Sequence, residues 1–214
     1  MSDIAANIDR IRAKLGDRVT LIAVTKTVEP ERIAEALDAG VTICGESKVQ
    51  EAKAKIALVS SRARWHFIGH LQTNKVRDAV ELFEMIHSVD SVKLAAEINK
   101  WADRLGKTMP VLLEINVSGE GSKFGMKPED LPAALAEMNK LPRVEVRGLM
   151  TIPPAGKDAR PFFRKLRELR DAHGLPELSM GMTHDYEVAV EEGATMVRIG
   201  TGIFGERKRN EPTE

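Results

Sequence analysis

Eight short apolar runs, each but the last followed by an amphipathic stretch, constrain this chain of 214 residues more than any single motif does. The runs are 20-TLIAVT-25, 41-VTICGE-46, 65-WHFIG-69, 85-MIHSV-89, 111-VLLEIN-116, 145-EVRGLMT-151, 178-LSMG-181 and 196-MVRIG-200. Their length and their β-branched and aromatic content predict strands. Between them, 30-PERIAEALDAG-40, 91-SVKLAAEINKWADRLG-106 and 160-RPFFRKLRELRDAHG-174 repeat apolar residues with the helical period. Pro30, Pro128 and Pro161 stand where a first turn tolerates proline, and Gly40, Gly106 and Gly174 stand where helices end. One further helix is predicted over about residues 3–15, with Ile4, Ile8, Ile11 and Leu15 on one face and Gly16 as its stop. A doubly wound sheet would also alternate in this way. Eight regular units after one extra helix favour closure into a (β/α)8 TIM barrel of the α/β class, read as one domain over 1–214 with a short charged tail, 206-ERKRNEPTE-214.

Composition removes several function classes. Lysine plus arginine and aspartate plus glutamate each number 32, so no net charge draws the chain to nucleic acid or an anionic membrane. No run approaches the ~20 apolar residues of a membrane span. Charges break up the opening MSDIAANIDRIRAKLGD, which is unlike a signal peptide. The single cysteine, Cys44, excludes an internal disulfide and reads as a small buried hydrophobe inside the second strand. The expected location is the cytoplasm, with no nucleic-acid or membrane partner.

In a barrel, chemistry gathers at the carboxyl ends of the strands. The first strand ends there in Lys26, and a lysine is seldom drawn into an apolar setting without a reason. One reading lays its stem over the barrel top with the ammonium in water. The other holds the amine in a cavity, its pKa lowered by desolvation or nearby cations, so that it attacks an aldehyde and forms a Schiff base. Pyridoxal phosphate is the commonest cofactor that asks for such an amine, together with a phosphate cradle and a partner for its ring nitrogen.

The last two strands offer the cradle. In 196-MVRIGTGIFG-205, Gly200 and Gly202 permit close backbone approach and Thr201 adds a hydroxyl, while IFGER is expected to start a short helix. With 179-SMGMTHD-185 this makes a two-loop anion site; tight packing at barrel corners is the competing account. Arg198 faces inward if Val197 and Ile199 face the helices, and then pairs with phosphate or with the pyridine nitrogen; alternatively it pairs with Glu46 or Asp185 across the rim. The methionines of 179-SMGMT-183 are expected around the barrel mouth. His66 and His70 lack a carboxylate or cysteine at metal-ligand spacing, so satisfied buried histidine is the favoured reading; His87, His173 and His184 carry no motif.

These pieces, taken in order, resemble the pyridoxal phosphate homeostasis proteins, the YggS or PROSC family. The resemblance rests on 23-AVTK-26, 45-GESKVQE-51, 65-WHFIGHLQTNK-75, 114-EINVSGEGSKFG-125, 148-GLMTIPP-154 and 178-LSMGMTHDYEVAVEEGATMVRIGTGIFG-205, which together span nearly the whole chain. It implies a fold-type III barrel with pyridoxal 5'-phosphate as a Schiff base on Lys26. It implies Ser179, Thr183, Gly200 and Thr201 around the phosphate, Arg198 near the pyridine nitrogen, and residues 46 to 48 with His66 along the ring, Ser47 among them. The chain departs from the family pattern at Ser47-Lys48, where Asn-Tyr is frequent, at Thr183, which keeps the hydroxyl of the usual serine, and at His184. Lys48, if it points inward, would lower the pKa of Lys26 by repulsion.

The implied role is binding and buffering of the cofactor, with effects on vitamin B6 and amino-acid balance and no established turnover. Pyridoxal-phosphate-requiring apo-enzymes are candidate recipients, and a monomer or weak dimer is expected. One rival is an amino-acid racemase or decarboxylase. Racemisation needs an acid and a base on opposite faces of the substrate carbon, and the only tyrosine, Tyr186, falls on a helix. The other rival is a cofactor-free phosphate-binding scaffold.

Overall fold

The strands close on themselves because the first and last pair with each other. The structure is a computed structural model that describes residues 3–59, 62–120 and 124–206. Its strands β1 (Thr20–Val24), β2 (Ile43–Glu46), β3 (Arg64–Phe67), β4 (Met85–Val89), β5 (Met109–Glu114), β6 (Val144–Met150), β7 (Glu177–Ser179) and β8 (Met196–Ile199) form a closed barrel in sequence order. All neighbours are parallel, and the closing pair sets Thr20 opposite Met196 and Ile22 opposite Arg198. The expected (β/α)8 architecture with its extra helix is therefore the observed one.

The helices follow the sequence pattern. They are α1 (Asp3–Leu15), α2 (Pro30–Asp38), α3 (Val49–Ile56), α4 (Val76–Leu82), α5 (Val92–Arg104), α6 (Leu131–Met138), α7 (Arg160–Ala172), α8 (Tyr186–Glu191) and α9 (Thr201–Phe204). In α1 the buried residues are Ile4, Ile8, Ile11 and Leu15, the stripe that its period predicts. The Ser91 side chain accepts from the Leu94 amide and caps α5. The last helix departs from expectation. It starts at Thr201, ahead of Ile203, and stops at Gly205, whose φ of 76° favours glycine. Asn7 on α1 donates to the Ile203 carbonyl at 3.0 Å, and Arg32 on α2 to that of Phe204 at 2.5 Å, so α9 is tied down by both earlier helices. The tail lies, beyond Glu206, outside the described residues.

Alternation along the strands divides the apolar residues into two cores. Ile22, Ile43, Leu112, Met150 and Met196 pack together inside the barrel. Ala23, Cys44, Phe67, Leu113, Leu149, Leu178, Val197 and Ile199 pack in the larger layer between barrel and helices. Cys44 is fully buried there, and burial pushes its thiol up to about 12, which leaves it unreactive. Met180 belongs to this outer layer, away from the mouth where it was expected, while Met182 is 36% exposed in the loop after β7. Gly148 marks a tight approach of β6 to β7, since a Cβ there would stand 2.1 Å from the Glu177 carbonyl oxygen.

One polar cluster is built into the outer layer. Glu46, wholly buried, accepts from Thr25 Oγ1 at 2.6 Å and from Lys55 Nζ at 3.0 Å. Lys55 also donates to Glu51 Oε1 at 2.6 Å and to the Thr25 carbonyl at 2.5 Å. Burial raises the Glu46 carboxyl despite the help of Thr25 and Lys55. Glu51 Oε1 also accepts the amide of Thr27, whose φ of 59° is unfavourable for a β-branched residue. The cluster thus grips the strained turn that contains Lys26.

Lys55→Met leaves Glu46 without its cation and is expected to destabilise the protein by about 3 kcal/mol. Adding Glu46→Gln should recover a substantial part of that loss. Urea unfolding of both variants is the check, and equal instability of single and double variants would contradict the pairing. Gly148→Ala is expected to cost about 2 kcal/mol or more in the same assay, because the Glu177 backbone has nowhere to move without breaking the β6–β7 ladder.

Candidate functional site

Lys26 follows β1 after Thr25 and is half-buried, at the barrel end where the loops after the strands gather. Because β1 pairs with β8 and β8 with β7, the loops after these three strands are neighbours. Thr183, after β7, accepts at its hydroxyl from the Gly202 amide at 3.1 Å and from Thr201 Oγ1 at 3.1 Å. The two glycine-bearing loops expected to form an anion site are therefore in direct contact. Gly202 is required for that contact: a Cβ would meet Ile199 Cγ2 at 2.9 Å and Thr183 Cγ2 at 3.2 Å. Gly200 precedes α9, and its carbonyl accepts from the Ile203 and Phe204 amides. Gly200 and Thr201 thus lie where α9 begins, with hydroxyl and amide donors that suit a phosphate.

Arg198 is inward, because Val197 and Ile199 on either side belong to the outer core. The residue is 4% exposed, and its guanidinium donates to Ser179 Oγ at 2.6 Å and to the Thr151 carbonyl at 2.9 Å. The anticipated alternative partners are taken elsewhere. Glu46 faces away from the barrel interior to Lys55, and Asp185 accepts the Met182 amide at 2.6 Å. Burial lowers the Arg198 pKa to about 10, against the pull of Glu114 and Asp185, so it remains a cation at neutral pH.

From Ser179 the polar chain continues through the barrel. Ser179 Oγ lies 2.9 Å from His87 Nδ1, and His87 Nε2 lies 3.0 Å from His66 Nδ1. Burial lowers the His66 pKa to about 4, with the charge of Arg64 adding to it. His87 is driven well below the usual histidine range by burial, then by His66 and Arg198. Both rings are neutral at pH 7. The expectation of a satisfied buried histidine is only half met: Nδ1 of His66 is paired, but Nε2 meets no partner among the described residues. His70 is stacked on Phe124 with centroids 3.9 Å apart and Nδ1 3.6 Å from Asp90.

Ser47 is half-buried just past β2, and Gly69 passes so close that a Cβ would lie 2.4 Å from the Ser47 carbonyl oxygen. Lys48 is exposed just ahead of α3, where its charge acts on Glu51. Two residues of the interior were not foreseen. His87 carries no motif, and only the strand register shows that it is inward. Glu114 ends β5 at 8% exposure, and burial pushes its carboxyl up to about 7, opposed by Arg198 and assisted by Asp90. Its signal was the one that drew attention to Lys26, a charge ending an apolar strand.

The arrangement provides an amine, a hydroxyl-and-amide cradle and a fixed buried guanidinium on three adjacent strands. The sequence profile described as alanine racemase, N-terminal domain, matches residues 1–208. The chain is 50% identical to the pyridoxal phosphate homeostasis protein of Aquifex aeolicus (strain VF5), over 88% of this chain and 87% of that one. It is 42% identical to the Pseudomonas aeruginosa protein of the same name, over 99% of both chains. Among solved structures, PipY of Synechococcus elongatus PCC7942 with PLP bound superposes with a TM-score of 0.89 at 40% identity, covering 94% of this chain and all of that one. An alanine racemase of Clostridium difficile 630 shares the fold, with a TM-score of 0.76 at 16% identity, and this chain spans 58% of its length. Taken with the closed barrel and the Lys26 mouth, these likenesses make the chain a member of the pyridoxal phosphate homeostasis protein family, within the wider group that carries the alanine racemase N-terminal domain.

Proposed function

We propose that this protein binds pyridoxal 5'-phosphate at the carboxyl mouth of the barrel and acts as an intracellular carrier of it, holding and releasing the cofactor in support of vitamin B6 and amino-acid homeostasis. The observation that carries the reading is the convergence, on paired strands, of the Lys26 turn with the Thr183–Thr201–Gly202 cradle. In this reading Lys26 bonds the aldehyde carbon, and Thr183, Gly200 and Thr201 receive the phosphate. Ser179 holds Arg198 toward the ring nitrogen and Ser47 flanks the ring side, whereas His66, which the resemblance implied along the ring, lies toward the opposite end of the barrel.

The residues fit the group. When bound, pyridoxal phosphate supplies an electron-withdrawing ring conjugated to its aldehyde carbon. Arg198 stays charged and donates, so a ring nitrogen facing it stays unprotonated and the ring's electron demand is moderated. Tyr186 opens α8 and packs against the outer core, behind the barrel wall. This placement favours a carrier over a racemase, which needs a second acid or base across the substrate. Delivery to apo-enzymes follows as the physiological purpose of reversible holding.

Incubation with pyridoxal phosphate, borohydride reduction and peptide mapping should place one pyridoxyl group on Lys26, and Lys26→Ala should abolish it. Label spread over surface lysines and unaffected by that substitution would favour the scaffold reading. Release of α-protons from amino acids in deuterated buffer, faster than with free cofactor by several orders of magnitude, would favour the racemase reading.

Glu114 gives a pH signature in the cofactor-free protein. Its folded pKa, about 7, exceeds the usual 4.5, so between these values the unfolded chain loses the proton first and stability falls as pH rises. The penalty is absent below the lower value and complete above the higher one. Relative to wild type, Glu114→Gln should therefore gain on the order of 2–3 kcal/mol at about pH 8 and almost nothing at about pH 4. Urea melts across that range test it, and a pH-independent difference would refute the assignment.

A further inference from the structure

The opposite end of the barrel is the end usually devoted to stability, yet here it opens into a cavity of about 400 Å³ whose walls are charged. Arg64 on β3, Glu145 and Arg147 on β6 and Glu177 on β7 line it, and the inward ring of His66 reaches it from within the barrel. That volume falls in the range of small-molecule sites, roughly 300–1,000 Å³.

The polar chain inside the barrel determines which hydrogen His66 presents there. Arg198 only donates, so Ser179 Oγ accepts from it and has one hydrogen to give. Giving it to His87 Nδ1 puts the His87 hydrogen on Nε2, which donates to His66 Nδ1. His66 then carries its own hydrogen on Nε2. The reverse order would leave the Ser179 hydrogen without an acceptor and the His66 Nε2 lone pair without a donor, two unmet groups where the first order has one. His66 is 2% exposed, and its Nε2 is one of the buried polar atoms without a partner among the described residues. A buried N–H without an acceptor is costly, and it marks a place for one.

The charged walls are unevenly divided. On the β3 side, Arg64 gives Nε to Glu84 at 2.8 Å, which leaves its two terminal nitrogens as donors among the described residues, on the same strand as His66 and in the same cavity wall. Opposite, across the barrel, the single guanidinium of Arg147 lies between two carboxylates, 3.0 Å from Glu145 and 3.6 Å from Glu177. That side keeps one negative charge in excess. The mouth is therefore bipolar across its width, with donors on one side and surplus carboxylate on the other.

We propose that this mouth is a second small-molecule site, separate from the Lys26 end, for a zwitterion of the α-amino acid class. Its carboxylate accepts from the terminal nitrogens of Arg64 and, once the surrounding side chains part to uncover it, from His66 Nε2, and its ammonium faces Glu145 and Glu177. The exposed ion pairs that now span these residues are weak enough to be exchanged for a ligand. The assignment goes beyond cofactor binding and does not depend on it.

The test is an imidazole-region ¹H–¹⁵N titration of the full-length protein with L-alanine, using acetate and methylammonium as half-ligands at matched ionic strength. It is run on the cofactor-loaded protein and on Lys26→Ala, so that reaction of the amino acid at the Lys26 end cannot produce the signal. A saturable shift of His66 Nε2 is expected in both, with each half-ligand at least roughly tenfold weaker. Arg64→Gln and Glu177→Gln should each weaken binding by roughly tenfold, and Arg64 is exposed enough that its variant should fold. A His66 signal that L-alanine leaves unmoved would mean that no ligand reaches this N–H, and would overturn the proposal. So would acetate binding as tightly as alanine, or a shift that survives both substitutions.

Discussion

Pairing of β1 with β8 is the constraint on which the rest of the structure depends. It sets Ile22 beside Arg198 and so brings the turn of Lys26 next to the loop that begins at Gly200, two segments from opposite ends of the sequence. Without closure, β1 and β8 would be bare edges and the amine would have no cradle nearby. Helices α1 and α2 reinforce the closure, since Asn7 and Arg32 hold the carbonyls of α9. A barrel closed in this way has a filled interior of packed side chains, and here part of that filling is polar.

Two polar systems divide the labour. Outside the barrel wall, Lys55 gathers Glu46, Glu51 and the Thr25 carbonyl, and Glu51 holds the Thr27 amide. This system fixes the backbone on either side of Lys26 and accommodates a left-handed β-branched residue that would otherwise relax. Inside, Arg198, Ser179, His87 and His66 form a line from the carboxyl end toward the amino end. Burial keeps both imidazoles neutral and the guanidinium charged, so the line carries one fixed cation with a defined direction of donation. A group so completely determined by its partners orients a ligand with little reorganisation.

Glu114 adds a titratable carboxyl close to that cation. Its raised pKa and the lowered pKa of Arg198 express the same burial acting on opposite charges. Glycine serves the site in a narrower way. Gly202 lets the loops after β7 and β8 touch, and Gly148 lets the backbone of β7 lie against β6; in both cases a single methyl group would be too large.

The periodic features were legible in the chain because they are local. The eight β-type runs, the stripe of Ile4, Ile8, Ile11 and Leu15, and the proline and glycine punctuation follow from side-chain spacing and backbone preference, which need no distant contact. Lys26, Arg198 and the two glycine loops stood out as unusual residue types at strand ends. What the sequence left open depended on register and packing across the barrel. Whether Arg198 met Glu46 or Asp185 across the rim, where Met180 pointed and whether His87 mattered were all undecided along the chain. Each of those outcomes depends on which strand lies beside or opposite the residue, and that is fixed only when β1 and β8 pair and burial forces every polar group inside to find a partner.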